Sequence, residues 1–173
     1  MGALSFGKSL PGWAAGVALA SVCVLGHAQT LPATTGETLT GQPLALAQAV
    51  KRHPAVLIAS FSKDAGSGAD AWARAVRQDT ALAGVATYET AMLERAPGFI
   101  RGIIKSGLRK QVPAGVQDHF LVLTQDEPLW RSYFGVSTDK DPYVVLLDAS
   151  GRTLWHGHGD AQNLEPLLKA ALR

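Results

Sequence analysis

Residues 55–62, Ala-Val-Leu-Ile-Ala-Ser-Phe-Ser, constrain the fold more than any other stretch of this chain. An apolar run of strand length with no polar alternation must be buried on both faces, as a strand is in the middle of a parallel sheet covered by helices on each side. The next thirty residues fit that setting. Lys63–Gly68 reads as a turn, and residues 69–79 as a helix whose apolar face is Ala69, Trp72, Ala73 and Val76. Gly84–Leu93 reads as a second strand. Strand, helix and strand in this order form the crossover unit from which parallel sheets are made.

The remaining segments extend the pattern. Pro97–Lys110 is helix-like, Asp118–Thr124 a strand and Asp126–Gly135 a short helix. Pro142–Asp148 and Arg152–Gly159 are strands joined by the turn Asp148-Ala149-Ser150-Gly151, which predicts an antiparallel hairpin, and a last helix covers Asn163–Leu172. Upstream, Leu31–Gly41 is rich in Thr, Gly and Pro and reads as an irregular arm with a short edge strand near Leu39. Leu44–Arg52 reads as a helix started by Pro43 and stopped before Pro54. No internal repeat or low-complexity linker interrupts the chain. The expected fold class is α/β, a mixed β-sheet flanked by helices on both faces.

The first 28 residues stand apart. A lone Lys8, the apolar run Gly12–Gly26 and the small-x-small site ending at Ala28 make a signal peptide cut before Gln29. The run is too short to span a bilayer comfortably, since spanning takes about 20 residues, so an uncleaved anchor is the lesser alternative. Lipidation of Cys23 is disfavoured by Val22, where that processing needs a small residue. Of 173 residues, 145 remain after cleavage; Lys8 and Cys23 leave with the peptide, so 15 of the 16 Lys+Arg and all 14 Asp+Glu stay, and no cysteine does. That length suits one domain, with 29–37 as the arm and 38–173 as the body. Near-neutral charge gives no reason to expect nucleic acid as a partner.

The stretch ASFSKDAGSGADAW, together with Asp141-Pro142-Tyr143 opening PYVVLLD, resembles the thioredoxin superfamily over about residues 38–172. The resemblance implies a thioredoxin-like sheet, a cis bond before Pro142 that keeps a backbone edge open for an extended client, and a Cys-x-x-Cys at the start of a helix. Here those cysteine positions are Gly66 and Ala69. A thiolate nucleophile and a resolving thiol are both missing, so thiol–disulfide and thiol-peroxidase chemistry is excluded. LWRSYFGV, PYVVLLDASGRTLWHGHGDA and the tail Trp155-x-Gly157-x-Gly159-x-Ala161 resemble the mitochondrial ATP synthase assembly factors, thioredoxin-like chaperones of an Fo subunit that lack the redox pair.

Several residue sets are candidates for binding. Arg101, Lys105 and Arg109 recur every four residues, with Ile100, Ile103, Ile104 and Leu108 on another face; such a helix either covers its own core or docks on an anionic membrane or a membrane-embedded client. Trp155, followed by Gly157 and Gly159, suggests close approach of a ligand or another backbone, and Trp130 and Tyr133 would support the same surface. His156 and His158 leave one strand face near Asp160 and could hold Zn²⁺ or Cu²⁺, although no third ligand is evident from spacing and solvated strand-end histidines are the plainer reading. His53 and His119 are weaker metal candidates. Ser67, at a helix start, reads as a helix cap. No cofactor and no catalytic set are expected.

The expected function is a non-redox, thioredoxin-like protein of the periplasm or cell envelope that binds a polypeptide client, with assembly of a membrane complex as the narrower form. The rivals are a small-ligand or metal-binding protein using the His156/His158 face, and an enzyme with non-thiol chemistry. The processing site is directly testable: N-terminal sequencing of the exported protein should read from Gln29, and retention of Met1 would refute cleavage.

Overall fold

The computed structural model describes residues 30–51, 53–161 and 164–171. The expected signal peptide, residues 1–28, therefore lies outside the described residues. Seven strands form one mixed sheet: β1 (Thr35–Thr38), β2 (Pro43–Ala45), β3 (Ala55–Ser60), β4 (Ala86–Met92), β5 (Phe120–Leu123), β6 (Tyr143–Leu147) and β7 (Thr153–His158), in the order β2-β1-β5-β4-β3-β6-β7. Among the described residues five α-helices accompany it: α1 (Leu46–Ala49), α2 (Gly66–Gln78), α3 (Gly98–Gln111), α4 (Glu127–Phe134) and α5 (Glu165–Ala171).

All six residues of β3 are buried, as the unbroken apolar run requires. Its neighbours run in opposite senses, β4 parallel and β6 antiparallel. Side chains that alternate along β3 enter two separate cores. Val56 and Ile58 pack with Val144 and Leu146 beneath Ala69, Trp72, Ala73 and Val76 of α2 and Leu167 of α5. Ala55, Leu57 and Ala59 face the other way, against Leu46 and against Trp130, Tyr133 and Phe134 of α4. The expected apolar face of the helix after β3 is therefore the buried one. A third cluster, Ala91, Phe120, Val122, Leu39 and Val112 with half-buried Leu108, seats α3. Ala91 and Val122 are partners in the β4–β5 register, so α3 covers the same sheet face as α2, farther toward the β1 side.

The N-terminal part of the domain departs from expectation. Residues 35–37 belong to β1 rather than to an irregular arm, and β1 is paired on both sides, to β2 and β5. The edge strand is β2, and Pro43 lies in it, opposite Glu37, instead of opening a helix. An edge strand tolerates a residue with no N–H to donate. The hairpin is closed by Thr38 N–H donating to the Gln42 carbonyl and Gly41 N–H to the Thr38 carbonyl, with Gly41 at φ 88°, where a glycine suffers no Cβ clash. Helix α1 is a single turn as a result. Farther on, α2 begins at Gly66, and its N-cap is Ala65 with no side-chain cap; Ser62, not Ser67, accepts from the Ala65 N–H at 3.4 Å.

The β6–β7 hairpin forms as expected. At its turn, Asp148 accepts from the Ser150 N–H and hydroxyl at 2.9 and 2.6 Å, and from the N–H and Nε of Arg152 at 2.9 and 3.1 Å. The Ser150 hydroxyl above all, with the Arg152 and Ser150 backbone and the Arg152 charge, holds its carboxyl down at about 2. A lowered folded value stabilises the hairpin above the ordinary carboxylate range, and the contribution is lost as pH falls through about 2. Asp148→Asn should cost about 1–2 kcal/mol at pH 7, the size of a charge-assisted hydrogen bond. Chemical denaturation of both forms should show that difference narrowing as pH drops from 4 toward 2, and a gap independent of pH would contradict it.

Candidate functional site

The end of β3 delivers the chain into the first turn of α2, and the loop before β6 arrives beside it. Gly68 and Pro142 touch there: a Cβ on Gly68 would lie 3.0 Å from Pro142 Cγ. Loop 135–142 is pinned by Arg131, whose Nη1 and Nε donate to Asp139 at 2.7 Å and Glu127 at 2.6 Å, and by the Ser62 hydroxyl, which donates to the Asp139 carbonyl at 2.5 Å. The bond before Pro142 is trans, since no cis peptide bond occurs among the described residues; trans is the ground state of an X–Pro bond. The carbonyl of Pro142 itself accepts from the Gly159 N–H at 3.1 Å, which ties this residue to the end of β7. Gly66 opens α2, and a Cβ built on it meets no atom within 4 Å; Ala69 is buried one turn on.

A cleft of about 690 Å³ opens at this helix start and runs between α2 and α3 over the sheet. Ser62, Gly66 and Ser67 line one end, Ile104, Leu108 and Gln111 the α3 side, and Glu89, Ala91 and Phe120 also contribute. A volume in this range is typical of sites for small molecules.

Glu89 is the unusual member. It is 4% exposed, on β4 opposite Phe120 in the sheet register. Oε1 accepts from Arg77 Nη1 at 2.9 Å, while Oε2 is buried with no hydrogen-bond partner. Burial raises its pKa above the ordinary 4.5 and outweighs the opposing bond and charge of Arg77, and Asp70 pushes the same way. Sequence reasoning passed over Glu89 because it sits inside a strand; a charged residue between Thr87 and Ala91, both on the helix-covered face, was the available signal.

The residues singled out from the sequence fare differently. Trp130 and Tyr133 are 0% and 6% exposed, so they form core rather than a binding surface; Tyr133 shares a 2.8 Å hydrogen bond with Thr153. Trp155 stacks obliquely on Trp72 with centroids 6.3 Å apart. Its own indole explains Gly157, where a Cβ would fall 2.7 Å from the ring. Gly159 stands at φ 91°, and its carbonyl accepts from Trp72 Nε1 at 2.7 Å. No ligand or second backbone is required at either glycine.

The basic row of α3 is tied to its own chain. Arg101 donates to the carbonyls of Ala96 and Glu94 at 2.7 and 2.6 Å, Lys105 pairs with Glu37 at 2.5 Å, and Arg109 Nε donates to the Leu39 carbonyl at 2.6 Å. Phe99 and Ile103 are the large apolar residues this helix leaves exposed, at 75% and 66%. His158 bonds Asp141 at 2.9 Å and stacks on Tyr143, and His156 is exposed on the same face. Among the described residues no group of three or more His, Cys, Asp or Glu is placed to hold a metal ion. His53 is exposed, and His119 bonds Asp118 at 3.0 Å.

Comparison with solved structures decides the architecture. The chain is similar to a thiol:disulfide interchange protein of the thioredoxin family from Chlorobium tepidum (TM-score 0.54, 18% identity, 84% of this chain and 97% of that one). It is also similar to BsSco, a member of the Sco family of cytochrome c oxidase assembly proteins (0.57, 11%, 84% and 93%), and to a secreted thiol-disulfide isomerase from Corynebacterium glutamicum (0.53, 14%, 83% and 86%). The fold is thioredoxin-like. No protein-family model matches the sequence, and no curated protein matches it.

Within this thioredoxin-like domain, Glu89 yields a pH test. Because its folded pKa is raised, its contribution is fully present below 4.5 and is lost as pH rises through the folded value, above which the ionised side chain costs stability. Glu89→Gln should therefore melt higher than wild type at pH 7.5, with the gain shrinking as pH falls toward 4.5. A lower melting temperature for the variant at pH 7.5 would mean that the Arg77 pair outweighs burial.

Proposed function

We propose that this protein is a non-catalytic, non-redox thioredoxin-like protein, exported to the periplasm or cell envelope, that binds a polypeptide partner. One observation carries the reading: Gly66 and Ala69 stand at the start of α2, where thiols would be needed, while the cleft beside that helix start is open. A chain with no cysteine beyond residue 23 can form no mixed disulfide within its domain, yet it retains a concave site beside the same helix. The run Gly12–Gly26 and the Ala28 site support export, as does the likeness to a secreted isomerase. Assembly of a membrane complex is the narrower form, supported by the likeness to a Sco-family assembly protein and by the resemblance of the C-terminal half to ATP synthase assembly factors. Contact with an anionic membrane through Arg101, Lys105 and Arg109 is not part of the reading, because all three are engaged with the chain itself.

The purified protein should show no insulin-disulfide reduction, and any turnover that survives a thiol-free control would end the non-redox reading. Affinity capture from envelope extracts should retain a defined polypeptide. Gly107→Trp, which adds a ring at a cleft-lining position with open space at its Cβ, should lower that capture at least tenfold while leaving the melting temperature within a few degrees. Capture unaffected by the substitution would place the partner elsewhere.

A further inference from the structure

The Glu89 carboxylate is incomplete as it stands. Arg77 occupies one oxygen, and the other is buried on the cleft side of the sheet with nothing to accept from. Neither protonation state cures this: ionised, Oε2 lacks a donor, and protonated, its hydroxyl lacks an acceptor. A buried carboxylate oxygen without a partner carries its full desolvation penalty, so a group that supplies one N–H there gains more than it would in water. The cleft provides the rest of a recognition site. Leu108, Ile104 and Phe120 offer apolar surface for an aliphatic stem, and Asp70 adds a second carboxylate to the lining. Lys63, the one cation among the lining residues, is exposed.

We propose that the cleft between α2 and α3 takes the side chain of a lysine on the polypeptide partner, its alkyl stem lying between Leu108 and Phe120 and its ammonium donating to Glu89 Oε2. The stoichiometry of acceptors selects the ammonium. A guanidinium is best used as a two-pronged donor to both oxygens of a carboxylate, and Arg77 already holds one of them, which leaves room for a single donor on a flexible stem. The assignment rests on the polypeptide-binding reading and sharpens it by naming the residue type recognised.

The probes are three acetylated and amidated pentapeptides, Ala-Leu-X-Leu-Ala, with X as lysine, ε-acetyl-lysine or norleucine, and n-butylammonium as the free amine. Binding to the purified protein is followed by calorimetry and by the carboxyl carbon resonance of Glu89. The lysine peptide should bind about tenfold or more tighter than the other two and should shift the Glu89 resonance. Glu89→Gln, which removes a buried charge while keeping the side chain's shape and so should fold, should abolish that preference, so that the lysine and norleucine peptides bind the variant alike. Equal binding of the three peptides, or a lysine preference that survives in Glu89→Gln, overturns the lysine assignment and leaves the polypeptide reading standing. Binding of n-butylammonium with no binding of any peptide overturns it in favour of a free amine and counts against the polypeptide reading. If no probe binds or moves the Glu89 resonance, the assignment falls, and the Gly107→Trp capture result then decides separately whether a polypeptide uses the cleft.

Discussion

Strand β3 is the constraint on which the rest of the structure depends. Its backbone is hydrogen-bonded to a parallel strand on one side and an antiparallel strand on the other, and its side chains feed two cores at once. A strand so placed leaves the sheet only at its end, and the chain turns there directly into α2. The first turn of α2 packs closely on Pro142, where a Cβ on Gly68 would lie 3.0 Å from Pro142 Cγ, so the positions of α2, the β6 loop and the cleft mouth are set together. Burying β3, α2 and β6 removes several large side chains from water, each worth about 1.5–3 kcal/mol, which is why the geometry at this corner resists local rearrangement.

On the same sheet face, α2 and α3 do not close on each other. The core beneath α2 is made by Val56, Ile58 and β6, while α3 is seated by Ala91, Phe120 and Val122 and fastened by Arg101, Lys105 and Arg109 to the chain on its far side. Glu89 falls between these two patches of packing. It is covered enough to lose water and not enough to gain a second partner. A carboxylate in this state is one that the fold tolerates rather than one that stabilises it.

The C-terminal pattern has a different physical origin from the one its residues suggest. Trp-x-Gly-x-Gly looks like a ligand motif because glycines beside an aromatic permit close approach. In the structure the approaching group is the tryptophan itself, lying across Gly157, and Gly159 serves a left-handed turn that places its carbonyl on Trp72. The pattern describes how β7 is locked to α2. Similarity to thiol:disulfide interchange proteins likewise establishes a scaffold and leaves its chemistry to the residues at the α2 start, which here include no cysteine.

Hydrophobic periodicity made most of the fold legible: the fully buried β3, the apolar face of α2, the β6–β7 hairpin and the succession of strands and helices were all encoded by residues near one another in the chain. That no cysteine lies beyond residue 23 was legible too, because composition is a fact of the sequence. The β1–β2 hairpin was hidden by a short, polar stretch whose strand character comes from pairing with β5, a segment over 80 residues away. The fate of the basic row was equally hidden, since helical spacing shows that Arg101, Lys105 and Arg109 share a face and says nothing about Glu94, Glu37 and Leu39 standing opposite. Trp130, read as surface, proved to be core because β-sheet burial around it is set by β3 and β6. Glu89 gained its unpaired oxygen only when α2 and α3 were laid on the sheet at their particular separation: local order follows from backbone and side-chain preferences within a few residues, whereas desolvation of one carboxylate depends on everything packed around it.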